Sequence, residues 1–102
     1  MRLLVLAALA GVLLALPQSG AAQTASPPRV LLACAPCHGF DGIGREGSIP
    51  NLAGQSREYL HNQLIAFASD QRKHPEMNFF SGHMTQEEMR QIADYFSRLP
   101  PR

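Results

Sequence analysis

The segment Cys34-Ala35-Pro36-Cys37-His38 holds the only two cysteines of the chain, spaced one helical turn apart. A disulfide between them would close a tiny loop and remove little entropy from the unfolded state. Yet a chain of this size needs a staple. Its 102 residues allow one small domain, and toward 80 residues a hydrophobic core alone becomes marginal. Disulfides, a metal or a cofactor usually make up the difference. The pattern therefore points to something that the two cysteines hold.

The N-terminal end has a different character. Leu3 to Leu16 contains only Leu, Ala, Val and Gly; Arg2 precedes it and Pro17, Gln18, Ser19 and Gly20 follow. The run is shorter than the ~20 residues that span a bilayer. With the small residues Gly20, Ala21 and Ala22 it reads as a secretory signal peptide over 1–22, cleaved near Ala22. An uncleaved membrane anchor is the competing reading; a buried core helix fits less well, because no face of the run is polar. Cleavage after Ala22 leaves a chain without a stable membrane span, expected in the periplasm. Arg2 departs with the leader, so the 9 Lys and Arg become 8, against 8 Asp and Glu. Such a neutral remainder has no basic patch for nucleic acid.

Residues 23–28 are polar and proline-bearing, a flexible lead-in to a domain over 29–102. Arg29 to Ala35 reads as a short helix ending near Pro36 and Gly39. Residues 39–54 are glycine-rich loop. Ser56 N-caps a second helix, ending near Asp70, with a stripe of Tyr59, Leu60, Leu64, Phe67 and Ala68. Residues 71–83 show no period. Thr85-Gln86-Glu87-Glu88 is a capping box opening a third helix that buries Met89, Ile92, Ala93, Phe96 and Leu99 and stops at Pro100. The expected class is all-α, three or so helices joined by long irregular stretches. Loops this long count against a small fold unless they wrap a large apolar ligand serving as its core.

C-x-x-C-H is the attachment motif of c-type haem. Two cysteines one turn apart can form thioethers to the two vinyl groups of one haem, and the adjacent His38 is then held beneath the iron. On these residues the chain resembles the class I c-type cytochromes, most of all one half of the dihaem periplasmic cytochromes or the cytochrome subunit of flavocytochrome c sulfide dehydrogenase. The likeness continues through Asp41-Gly42, Ile49-Pro50-Asn51-Leu52-Ala53-Gly54-Gln55, Tyr59-Leu60, Gln63-Leu64, Phe67, Arg72, Glu76-Met77 and Ile92-Ala93-Asp94-Tyr95-Phe96.

The resemblance implies a small cytochrome c fold around one covalently bound haem c, with thioethers from Cys34 and Cys37 and iron ligands His38 and Met77. It implies that the Pro50 carbonyl orients the His38 ring and that Arg72 sits near a haem propionate. Met77 takes the family's ligand position, in a stretch read as irregular. Met84 falls where the family has a Leu and reads as a hydrophobic staple, and Met89 as core. Met84, or bis-His ligation through His74 or His83, stands as the alternative; His61 reads as a flank residue, and Glu87 and Glu88 as helix-terminus acids. The first helix departs from the family pattern, with Pro27 where an early glycine is usual. That shortens its contact with the last helix and leaves a haem edge for a partner subunit.

His/Met ligation leaves no open iron position, so the expected role is a one-electron carrier and not an enzyme, working between redox protein partners. A haem subunit tied to a flavoprotein is the near alternative, and a haem sensor or peroxidase-like protein the distant one. A zinc site lacks a fourth ligand beyond Cys34, Cys37 and His38. A thioredoxin-like dithiol would need a βαβ pattern that is missing.

Overall fold

The computed structural model describes residues 2–17 and 26–102. Residues 2–17 form no helix or strand, and their large apolar side chains are exposed. The expected cleavage point near Ala22 and residues 23–25 of the expected lead-in lie outside the described residues.

Four helices follow: α1 (Leu31–His38), α2 (Arg57–Ala68), α3 (Pro75–Gly82) and α4 (Gln86–Ser97). There is no strand among the described residues. Helices α2 and α4 start at the expected caps. The Ser56 hydroxyl accepts from the Tyr59 N–H. At α4 the capping box is complete: the Thr85 hydroxyl accepts from the Glu88 N–H, and the Glu88 carboxylate accepts from the Thr85 N–H, both at 3.1 Å. Two first-turn N–H groups that the helix cannot satisfy are thus satisfied by reciprocal side chains.

The core forms where α1 and α2 meet α4. Leu31 and Ala35 pack with Leu60, Ile92, Ala93 and Phe96. Phe96 is 2% exposed, a degree of burial at which truncation to Ala costs ~3–5 kcal/mol. Helix α2 is the spine, packed against both α3 and α4.

Two expectations are corrected. Of the two stops expected for α1, Pro36 does not act: the helix carries it inside and runs to His38, next to Gly39. The missing Pro36 N–H costs one bond in a helix of only two turns, and Gly39 closes it instead. Its N–H donates to the Ala35 carbonyl at 2.8 Å. At φ 77° Gly39 has no room for a Cβ, which would meet the Asp41 carboxylate and, at 2.7 Å, the Ile43 carbonyl.

The second correction is α3, in the stretch read as irregular. Its apolar side chains do not mark its buried face. Phe79 and Phe80 are 61% and 40% exposed, while the fully buried residue is Ser81. Periodicity fails there because the one fully buried residue is polar while Phe79 and Phe80 stay exposed. The start signals are Pro75 at the first helical position and a His74 cap, whose Nδ1 accepts from the Met77 N–H at 3.4 Å.

Between α1 and α2 the chain folds back on itself. The Gly42 carbonyl accepts from the Leu52 and Ala53 N–H groups at 2.7 and 3.1 Å, and Asn51 Oδ1 accepts from the Gly44 N–H at 2.8 Å. Asp41 anchors the first bend. The Ile43 N–H, and then Arg45 and Arg102, hold its carboxyl below the ordinary carboxylate range.

Two outcomes follow from these contacts. Thr85→Ala is expected to lower stability by about 1 kcal/mol, read as a fall of ~4–8 °C in thermal midpoint for a domain this size. For Asp41 the folded-state pKa is depressed, so its contribution is complete above the unfolded value of ~3.9 and is lost as pH falls through the folded one. Acid unfolding curves should therefore show a shallower loss of stability below about pH 4 in Asp41→Asn than in the wild type.

Candidate functional site

His38, the last residue of α1, is 8% exposed. Its Nδ1 lies 3.0 Å from the Pro50 carbonyl oxygen. A carbonyl can only accept, so Nδ1 carries the proton and the Nε2 lone pair is left free as a donor to a metal. The bond also fixes the ring plane, the usual role of an outer partner of a ligating histidine.

The folded-back loop makes this pairing possible. The Cys37 carbonyl accepts from the Arg45 N–H at 2.9 Å, which ties the loop to the end of α1. The Gly42 and Asn51 bonds then return Pro50 to the same end.

His38 borders a cavity of about 800 Å³, within the ~300–1,000 Å³ usual for ligand sites. Cys34, Cys37, Pro50, Arg72 and Met77 border it as well, so all six residues singled out in the sequence share one cavity wall. Helix α1 supplies the cysteines and the histidine, and the first turn of α3 supplies Met77. The apolar wall includes Leu52, Leu60, Leu64, Phe67, Ile92 and Phe96. Tyr59, Leu60, Leu64 and Phe67, read in the sequence as one helical stripe, border the cavity, and Ala68 of that stripe is exposed.

The two thiols are unlike. Both are free. Cys37 is exposed, whereas Cys34 is half-buried with its Sγ 3.5 Å from the Val30 carbonyl. Burial pushes the Cys34 thiol up to about 11, the reverse of the depressed value that a dithiol nucleophile needs. Among the described residues no group of three or more His, Cys, Asp or Glu is placed to hold a metal ion.

Arg72 stands at the cavity wall with its Nη1 donating to Gln63 Oε1 at 2.6 Å and its guanidinium 4.7 Å from the centre of the Phe67 ring. Both contacts hold the cation in place without neutralising it. Met84 is half-buried, packs on the core and also borders the cavity; Met89 is fully buried in α4. Of the three competing histidines only His74 lines the cavity. His83 stacks on Phe79 and its Nδ1 donates to the Phe79 carbonyl at 2.7 Å. His61 borders a separate polar groove of about 640 Å³ between α2 and α4, with Arg57, Glu58, Glu87, Arg90 and Asp94. Sequence reasoning missed Asn78, whose side chain joins the end of α2 to the start of α3; its partners are carbonyls and an amide, which leave no mark in a sequence.

The donor set suits a haem. An imidazole with a free, oriented Nε2, a thioether, two thiols at the attachment spacing, an apolar wall and a fixed cation converge on one cavity. These are the groups needed for iron, vinyl carbons, a porphyrin face and a propionate.

The comparisons with known proteins agree. Residues 17–96 match the family described as Cytochrome C oxidase, cbb3-type, subunit III. The thiosulfate dehydrogenase electron acceptor of Stutzerimonas stutzeri (strain A1501) is 40% identical over 65% of this chain and 32% of its own length. The cytochrome subunit of sulfide dehydrogenase of Chlorobaculum tepidum is also 40% identical, over 67% of this chain and 61% of its own. A solved cytochrome c4 of Acidithiobacillus ferrooxidans superposes with a TM-score of 0.63 at 40% identity, covering 66% of this chain and 38% of that one. The chain thus spans between about a third and just under two thirds of the length of these relatives. Motif, four-helix architecture and matched length together place the chain in this family of cytochrome c domains, which carry covalently bound haem c.

Proposed function

We propose that the chain is a periplasmic one-electron carrier that works by itself or as the haem-bearing partner of an oxidoreductase. One observation carries this reading: the convergence of Cys34, Cys37, His38 and Met77 on a single cavity, with His38 already oriented by Pro50. Haem bound there supplies a one-electron iron couple, and a Met/His ligand pair raises its potential relative to two histidines. Cys34 and Cys37 would tether it through thioethers. His38 would offer its Nε2 and Met77 its sulfur as ligands to the iron. Arg72 would pair with a propionate, its guanidinium already held by Gln63 and Phe67.

The relatives named for thiosulfate and sulfide dehydrogenases support the second half of the reading, in which the chain exchanges electrons with such an enzyme. The charged residues around the cavity are balanced, with Arg72 and Lys73 against Glu46 and Glu76. A partner would therefore be met without strong electrostatic attraction from these side chains.

Absorption spectra of the purified protein, oxidised and reduced, with a pyridine haemochrome assay, test the reading. Reduced c-type bands and a weak far-red ferric band of sulfur ligation are expected. Met77→Ala should lose the far-red band and lower the reduction potential, while Met84→Ala keeps both. A c-type spectrum whose far-red band survives Met77→Ala would remove Met77 from the ligand set. Electron-transfer rates with small redox reagents of either charge should change far less with ionic strength than the ~10- to 1,000-fold of strongly steered clefts; a steep salt dependence would contradict the neutral contact face.

A further inference from the structure

Helix α3 brings Met77 to the cavity wall, yet eight residues are too few for a helix to hold itself in water. Its first turn needs an external anchor, and one side chain supplies it. Asn78 Nδ2 donates to the Phe67 carbonyl and to the Arg72 carbonyl, each at 2.8 Å. Its Oδ1 accepts from the His74 N–H, also at 2.8 Å. One amide thus uses both N–H groups and its oxygen on three segments of chain: the last turn of α2, the turn after it, and the cap of α3.

The groups it reaches are ones that helix ends leave short. Phe67 is the penultimate residue of α2, so its carbonyl lies among the four without a regular intrahelical partner, and beside the Asn78 bond it accepts a longer one, at 3.3 Å, from the Asp70 N–H. The His74 N–H belongs to the cap itself. The His74 ring returns the favour through the Met77 N–H at 3.4 Å, and the His74 carbonyl accepts the Asn78 N–H at 2.8 Å. The arrangement resembles a capping box displaced by one residue, with Met77 enclosed between its two halves. Phe67, Arg72, His74 and Met77 border the cavity; Asn78 does not. Its influence on the site passes through the others.

We propose that Asn78 is a positioning residue for Met77, pinning the first turn of α3 to the end of α2 so that the thioether is held ready at the cavity. The inference rests on the reading of Met77 as an iron ligand. Only a side chain with two donors and an acceptor at this reach makes all three bonds. Asp at this position would turn a carboxylate toward two carbonyl oxygens, and Ala would make none of them. Either change frees the turn and makes the Met77 sulfur easier to displace.

The test uses the haem-loaded full chain and imidazole as the competing ligand, following the far-red ferric band and the reduction potential. Asn78→Ala and Asn78→Asp should lose half the band at imidazole concentrations about ten- to a hundred-fold below the wild type, as expected for losing two or three modest hydrogen bonds. The potential should shift with them. Thr85→Ala, which weakens the α4 cap instead, should titrate like the wild type. Wild-type titration by both Asn78 variants would overturn the proposal, as would an equal shift in Thr85→Ala, which would reduce the effect to general stability. Survival of the band in Met77→Ala is a separate result: it would overturn the ligand reading itself. Asn78→Asp preserves side-chain volume, so the comparison holds if the Ala variant fails to assemble.

Discussion

The hydrogen bond between the His38 ring and the Pro50 carbonyl is the contact on which the rest of the molecule turns. A buried imidazole nitrogen without a partner would cost ~1–3 kcal/mol. Here the partner is the carbonyl of a residue with no N–H to offer and a fixed φ. Twelve residues separate the pair, and the loop between them brings them together. Gly39 turns the chain out of α1, and Gly42 and Asn51 fold it back. The bond in turn selects the tautomer, and with it the nitrogen that faces the cavity.

Helix α2 shows a second constraint. Its apolar residues serve two neighbours at once: Leu60 and Leu64 pack with the α4 cluster, and both, with Tyr59 and Phe67, border the cavity. In a domain this small a core of its own side chains alone is marginal. Its interior is shared with the group it binds, and binding and folding are therefore linked.

What the sequence made legible follows from how far each interaction reaches. The caps at Ser56 and Thr85 and the α4 stripe involve neighbours three or four residues apart, and they lie where local rules put them. Cys34, Cys37 and His38 form a contiguous motif. Helix α3 escaped because a hydrophobic pattern presupposes an apolar inward face, whereas this one buries Ser81 and turns Phe79 outward. Its His74 cap also belongs to no strong capping class. Asn78 escaped for another reason: it bonds carbonyls six and eleven residues away, and any residue could have provided them. Pro36 misled in the opposite direction, because the break it normally imposes is small in a helix that Gly39 ends three residues later.

The polar groove between α2 and α4 gives the molecule a second face. Its charges are mostly spoken for: Asp94 pairs with Arg57 and Arg98 at 3.9 and 3.0 Å, and Arg90 pairs with Glu87 at 3.0 Å. Of its lining residues only the buried Ala93 also borders the cavity. The groove is thus a handle separate from the site. A linker joining Glu87 or Arg90 to an electrode or a solid support would immobilise the protein by residues that take no part in the haem cavity.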